Sequence, residues 1–369
     1  MTRLKRSEMS SDYSFAVLST CFFVFTVASS LRTQYSKLAI VARKCFLADS
    51  SPAVVKYENI LLEIRQPMNG PNKIVQTLRN DDIISKIVPM VGKCLHVYIC
   101  AGVDLPKTAV YEYISDTYSR IWDEMLQNGC LSLDCVVVGD VFGSDFISRA
   151  QIRSLPDLGA IFSFETDYGD GLNRSQPDSV SSSVKTVDTS SLFKNMPILP
   201  GSLGTSEIYY YDDDNVHIPR YGKVALGGTF DQLHNGHKKL LTLAAASSSD
   251  MLIIGVMGDE LLKKKANFEL ITSYNTRELG VRKFLSIVKP TMSYQIVELF
   301  DPFGPTVTDA SIGALVVSSE TLQGAHKINQ MRYEKGLPPL VILVTRRSGS
   351  ATMSSTFIRK SHNPIDSNG

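Results

Sequence analysis

An α/β fold is what this sequence predicts: a parallel sheet with helices on both faces in the C-terminal part, preceded by a second α/β region. Three observations lead there. From Tyr221 onward, apolar runs of strand length alternate with helical stretches, and alternation at that spacing favours parallel strands joined by crossover helices. The pair Gly227-Gly228 ends the first of those strands and precedes a helix, the place where open α/β sheets bind their ligands. Earlier, residues 95–100 (LHVYIC) and 135–138 (CVVV) flank a stretch over 108–126 whose apolar residues recur at three and four, which reads as strand, helix, strand.

In chain order, residues 1–35 form an apolar leader. Its heart, residues 13–31 (YSFAVLSTCFFVFTVASSL), carries no charge and follows Arg3, Lys5 and Arg6. That length reaches the lower end of a bilayer span, while the most apolar part has the size of a signal-peptide core. Positive charge on both sides leaves the orientation open. The segment is an anchor, a targeting peptide or neither, so an otherwise cytoplasmic protein would gain membrane or mitochondrial association through residues 13–31.

Residues 36–164 form an N-terminal α/β domain whose role the sequence does not show. Asp134 and Asp140 bracket its second apolar run, as solvated turn carboxylates would. Residues 165–220 shift to Ser, Asp, Gly and Pro, with SVSSSVKTVDTSS and a run from Tyr209 to Asp214; that is flexible-linker chemistry. Residues 221–361 then give strands over 224–226, 251–256, 294–299, 315–317 and 340–344, with helices over 235–246, 276–288 and 321–335 and one from about 354.

Composition narrows the function classes. A chain of 369 residues with 43% hydrophobic side chains has material for two cores. Thirty-eight basic against 37 acidic residues leave a net charge of +1, so nothing global calls for a nucleic acid and any phosphate recognition has to be local. Cys21, Cys45, Cys94, Cys100, Cys130 and Cys135 show no CxxC spacing, which fits buried thiols in a reducing compartment.

At the first strand-to-helix junction the chain reads Gly227-Gly228-Thr229-Phe230-Asp231-Gln232-Leu233-His234-Asn235-Gly236-His237. Glycines let backbone amides approach a phosphate, Thr229 brings a hydroxyl to the strand tip, and the helix start behind them attracts anions. His234 and His237, three residues apart, face one side of that helix. Alone, HxxH fits a metal pair or two surface histidines as well as catalysis; behind a strand and GGTFD it points to a phosphate. Ser354-Ser355-Thr356-Phe357-Ile358-Arg359 is a second such place, which by itself is also an ordinary N-cap. The run Lys263-Lys264-Lys265 by itself is solvated loop charge.

GGTFDQLHNGHKKLL resembles the signature of the HxGH nucleotidyltransferase superfamily. In detail it is similar to the phosphopantetheine adenylyltransferases of eukaryotic type, including the adenylyltransferase domain of bifunctional coenzyme A synthases. The similarity continues in the family's order through GDELLKKK (258–265), YNTR (274–277), DPFGPT (301–306), VVSSET (316–321) with Gly324, Asn329 and Arg332, and MSSTFIR (353–359).

The resemblance implies a Rossmann-like nucleotidyltransferase domain over 221–361. It also implies a reaction in which the phosphate of 4′-phosphopantetheine attacks the α-phosphorus of ATP, giving dephospho-coenzyme A and pyrophosphate without a covalent enzyme intermediate. His237 would donate to an α-phosphate oxygen with His234 beside it, and Thr229 would orient the attacking phosphate. Lys265, ahead of Lys263 or Lys264, would neutralise phosphate charge; replacements around Ala266 to Phe268 leave that register open. Gly227, Gly228, Phe230, His234, Ser354, Ser355, Thr356 and Arg359 would bind the nucleotide. Arg277 and Arg332 are phosphate contacts or helix-face salt bridges. Asp231 would orient a histidine or water, or cap its turn. Mg2+ accompanies ATP, held by phosphates and water without a dedicated protein site.

Within the superfamily the chain also fits a nicotinamide mononucleotide adenylyltransferase or a phospho-alcohol cytidylyltransferase, although the RTEGIST-type segment of the latter is missing. A class I aminoacyl-tRNA synthetase would need a KMSKS pattern, which does not follow. A non-catalytic scaffold sits badly with intact Thr229, His234, His237 and SST. No GxxxxGK[ST] P-loop occurs, so the resemblance implies a separate dephospho-coenzyme A kinase as pathway partner.

Overall fold

The computed structural model describes residues 56–67, 73–101, 105–139, 145–163, 185–188, 218–263, 265, 267–345 and 353–362. The chain divides into two compact units, 1–55 and 56–369, and all described residues belong to the second. The leader expected over 1–35, most of the stretch expected as a linker, and Lys264 lie outside the described residues. Among those residues no helix is long and apolar enough to cross a membrane.

The first sheet holds β1 (Tyr57–Arg65), β2 (Val91–Cys100), β3 (Asp134–Gly139), β4 (Ala160–Ser163) and β5 (Lys185–Asp188) in the order β3-β2-β1-β4-β5. Every pairing is parallel. Helices α1 (Lys73–Ile87) and α2 (Lys107–Asn128) make the first two crossovers, and the short α3 (Arg149–Arg153) precedes β4. Central β1 has Ile60, Leu61, Leu62 and Ile64 all fully buried, because a parallel strand between layers is covered on both faces. α2 stops at Gly129, whose left-handed φ of 65° lets its N–H turn back to Leu126.

Glu63 lies within that buried run. Arg149 and Arg153 each hold it with two hydrogen bonds of 2.6–3.0 Å. Burial works to raise its pKa, but hydrogen bonds and charge from Arg153 and Arg149 hold the carboxyl below its ordinary value.

Residues 185–188 correct the expectation of an unstructured linker, since they pair with β4 over four residues. Alternation that short does not stand out of a Ser-rich background; the free edge of β4 supplies the partner that the sequence hides.

The second sheet holds β6 (Tyr221–Gly228), β7 (Ser248–Met257), β8 (Ser293–Leu299), β9 (Ile312–Ser318) and β10 (Val341–Thr345) in the order β10-β9-β6-β7-β8, again all parallel. Its helices are α4 (Asn235–Ser247), α5 (Asp259–Leu262), α6 (Tyr274–Val288), α7 (Leu322–Glu334) and α8 (Ser355–His362). Each strand and helix expected after Tyr221 is present, with ends that differ by up to three residues.

Counted from its own first strand, each sheet has the order third, second, first, fourth, fifth. The N-terminal half therefore repeats the winding of the C-terminal half. The two regions expected as separate domains share one hydrophobic core: α2 lies against α4, and β3 against α6. Lys289 ties the halves a second time, donating to Ala245 and Ser248 carbonyls at 2.9 Å and pairing with Asp145 at 2.8 Å. On the other face of the second sheet a smaller core joins Ala225, Ile253 and Leu315 to Ala325 and Ile328 of α7.

Cys94, Cys130 and Cys135 are reduced thiols. Burial pushes Cys94 up to about 12 and Cys135 to about 11, which makes both chemically inert.

Candidate active site

β6 is the central strand of the second sheet, and the chain winds outward from it in both directions. Its carboxyl end is thus a topological switch point, where such sheets open a crevice. The turn that follows is tightly folded: a Cβ on Gly228 would lie 3.2 Å from the ring of Phe230. Phe230 (φ 54°) and Gln232 (φ 52°) both take the left-handed conformation despite carrying side chains. This folding buries Phe230, 5.3 Å from the His237 ring. Phe230, expected at the nucleotide, is instead an apolar support beneath a histidine.

α4 starts on His234, whose Nδ1 accepts from the Gly236 N–H at 3.2 Å. With Nδ1 an acceptor, the neutral ring carries its proton on Nε2. His237 stacks on it, centroids 3.9 Å apart and planes at 25°. Burial, then the charge of Lys238, drives His234 down to about 4. Burial, with His234, Lys265 and Lys238 behind it, takes His237 well below its ordinary value. Both rings are neutral at pH 7 and offer N–H groups rather than charge. The Nδ1 of His237 is buried without a hydrogen-bond partner among the described residues.

Asp231 is fully buried. Its Oδ1 accepts from the Thr272 N–H at 3.1 Å and hydroxyl at 2.9 Å, and its Oδ2 from Arg359 Nη1 at 2.5 Å. Its carbonyl accepts from the Ser355 hydroxyl at 2.8 Å. These bonds run to Thr272 and α8, not to a histidine or its own turn, which corrects the role expected for Asp231. The Arg359 guanidinium borders the crevice and donates to Asp231 and, at 3.2 Å, to Thr356 Oγ1, while its Nε is buried without a hydrogen-bond partner among the described residues. Ser354 caps α8 by accepting from the Phe357 N–H at 3.2 Å, so what the start of α8 offers an anion is chiefly its first backbone N–H groups.

Lys265 reaches back to the strand tip and donates to Thr229 Oγ1 at 2.6 Å. Burial, then Arg359 and Arg277, lower its pKa. Lys263 pairs instead with Glu260 at 2.7 Å. Arg277 and Arg332 are buried clamps and touch no open space. Arg277 donates to the Thr272 and Thr229 carbonyls at 2.9 and 2.8 Å and to Asp259 at 2.7 Å. Arg332 donates to the carbonyls of Pro338, Thr306 and Asp309 at 2.6–2.9 Å. Arg277 thus keeps the salt-bridge alternative, through Asp259, whereas the hydrogen bonds of Arg332 go to backbone carbonyls.

These elements enclose a cavity of about 700 Å³. Gly227, Gly228, Thr229, His234, His237 and Lys265 line one side, and Ser354, Ser355, Thr356 and Arg359 another. Ser318, Glu320, Thr321 and Gly324 continue the wall, with Ile253, Phe303, Leu315 and Ile328 as its apolar part. A crevice of this size with few polar anchors suits a nucleotide-sized ligand. Among the described residues no group of three or more His, Cys, Asp or Glu could hold a metal ion. Sequence reasoning missed Thr272 and Met257, which touch Asp231 and Thr229; a lone hydroxyl before a helix and a lone thioether carry no signal.

The sequence model of the cytidylyltransferase-like family matches residues 225–361. Over 148 residues the chain is 43% identical to a phosphopantetheine adenylyltransferase of Saccharomyces cerevisiae, a match covering 38% of this chain and 48% of that protein. Over 147 residues it is 44% identical to an uncharacterized protein of Schizosaccharomyces pombe, covering 37% of this chain and 46% of the other. The chain thus spans about half the length of these two relatives. With a phosphopantetheine adenylyltransferase of Pyrobaculum aerophilum it shares 36% identity over 144 residues, 38% of this chain and 92% of that protein.

Proposed function

Because the chain belongs to the phosphopantetheine adenylyltransferase family, we propose that it transfers the adenylyl group of ATP to 4′-phosphopantetheine, giving dephospho-coenzyme A and pyrophosphate. One observation carries this reading. The His237 ring and the start of α8 line the same cavity, and the Ser355 hydroxyl bonded to the Asp231 carbonyl holds the two anchors together.

In this reading an oxygen of the phosphopantetheine phosphate attacks the α-phosphorus. The bond from that phosphorus to the bridging oxygen breaks, and the electron pair leaves with pyrophosphate. No group on the chain becomes covalently attached, so positioning and charge stabilisation supply the acceleration. His237 donates an N–H to the α-phosphate as charge builds; one such donor contributes about 3 kcal/mol. Being neutral, it gives no proton away and needs none back. Thr229 and Lys265 form a single polar unit that receives the attacking phosphate. The N–H groups opening α8 hold the β- and γ-phosphates. Magnesium bound with ATP would be held by the phosphates and water rather than by side chains of this chain, and would offset the phosphates' charge. The product still has a free ribose hydroxyl.

The test is full-length protein with Mg2+, ATP and phosphopantetheine or nicotinamide mononucleotide, and with CTP and phosphoethanolamine, pyrophosphate being followed in each. Release with phosphopantetheine alone supports the proposal. Release only with another pair of substrates overturns it.

A further inference from the structure

The N-terminal half shares the strand order of the catalytic half but not its phosphate cradle. β1 ends on Arg65, followed by Gln66 and Pro67, with no glycine pair and no threonine. The Gln66 N–H is already given to the Cys100 carbonyl at 3.0 Å, so the strand tip is closed by a ladder bond where β6 leaves an opening.

What this half does is seen where it meets α4. Asn235, between the two histidines in sequence, is buried; its Nδ2 donates to the Tyr118 carbonyl at 2.9 Å, and its Oδ1 accepts from Cys135 Sγ at 3.0 Å. Lys238 directly follows His237 and is 3% exposed. Its ammonium donates to the Asp134 carboxylate and, at 2.8 Å, to the Cys135 carbonyl. Lys239, equally buried, donates to Ser119 Oγ at 2.7 Å, and its carbonyl accepts from the Tyr111 hydroxyl at 3.3 Å. α2 and β3 therefore grip three of the five residues from Asn235 to Lys239.

A lysine buried this deeply keeps its place only beside its carboxylate, because an unpaired ammonium there is strongly disfavoured. Such a pair fixes both the rotation and the height of the helix that carries it. Asp134 is in turn shared, with Lys283 of α6 at 3.9 Å from its other oxygen.

We propose that the N-terminal half is an in-chain partner of the motif helix, and that Asp134, acting through Lys238, is a positioning residue that sets where His237 meets the transferred phosphate. This rests on the adenylyl-transfer reading. It assigns the first sheet a task in catalysis without any contact to substrate.

The test compares full-length wild type with Asp134→Asn, Asp134→Glu and Leu158→Ala, the last a core truncation beside β4. The readouts are kcat and KM for ATP per folded enzyme, and the imidazole NMR signals of His237. Asp134→Asn is expected to lower kcat at least tenfold with KM changed less than twofold, and to move the His237 signals. Asp134→Glu should restore part of the rate, while Leu158→Ala lowers thermal stability only. An Asp134→Asn enzyme with kcat within twofold of wild type overturns the proposal, as does one that matches Leu158→Ala in every readout. Should Asp134→Asn fail to fold, Asp134→Leu/Lys238→Met removes both charges and leaves no uncompensated ion. Reduced kcat at unchanged KM in that double variant supports the proposal, and wild-type kcat overturns it. If wild type itself releases no pyrophosphate with phosphopantetheine, the activity reading fails, and the His237 signals alone then decide the positioning claim.

Discussion

The guanidinium of Arg359 and the carboxylate of Asp231 meet at 2.5 Å inside the protein, with Asp231 wholly excluded from solvent. The last helix of the catalytic sheet is thereby fastened to the turn after its first strand. Removing one member leaves the other as an uncompensated buried charge. Arg359→Ala is therefore expected to cost about 3–5 kcal/mol of stability, measured by urea unfolding, and adding Asp231→Asn should recover part of that loss. A loss below about 1 kcal/mol would contradict the pair's structural role.

His237 stacks on His234 at the cavity wall and makes no hydrogen bond through Nδ1 to any described residue. Its removal should spare the fold and strike the reaction. His237→Ala is expected to lower turnover about a hundredfold or more, with a melting temperature close to wild type. His234→Ala should instead lose an N-cap, at about 1 kcal/mol, visible as a drop in melting temperature. Unchanged turnover in His237→Ala removes that residue from the mechanism.

Thr229 and Lys265 should behave as one unit, since the ammonium donates straight to the hydroxyl. Thr229→Val and Lys265→Met are each expected to reduce kcat/KM, and the double variant to fall short of the sum by about 0.5–3 kcal/mol. Strict additivity in that cycle would show the two acting separately.

The histidines also predict a pH dependence of stability. His234 is depressed to about 4 in the folded chain from an ordinary 6.5. Between those values the unfolded chain takes up a proton that the folded one refuses, so stability falls as pH drops through the window, by at most about 1.4 kcal/mol per unit for each such group. Urea unfolding from pH 7 to 4 should show that slope, and His234→Gln should flatten it. Glu63, depressed below 4.5 by its arginines, adds a further loss only at lower pH.

Much of the site was legible because its signals are local. Two glycines, a threonine and two histidines within eleven residues are enough to mark a strand tip and a helix start. The seatings of Arg277, Arg332 and Arg359 were not legible, since a sequence shows a cation but not the carbonyls or carboxylate that will enclose it. Lys238 and Lys239 carry no signal of their buried seating, since their partners Asp134 and Ser119 lie more than a hundred residues upstream. β1 does not stand out in the sequence for a related reason. Glu63 interrupts its apolar run, and only Arg149 and Arg153, from a helix far along the chain, make that carboxylate acceptable in a core.

The left-handed backbone at Phe230 and Gln232 sets durability against speed at one short stretch of chain. Each such residue lies about 1–3 kcal/mol above a relaxed conformation, so Gln232→Gly would let the loop rest more easily and raise the melting temperature. The same freedom would let the aromatic ring beneath His237 drift from its station. A hardier enzyme made this way would be a slower one.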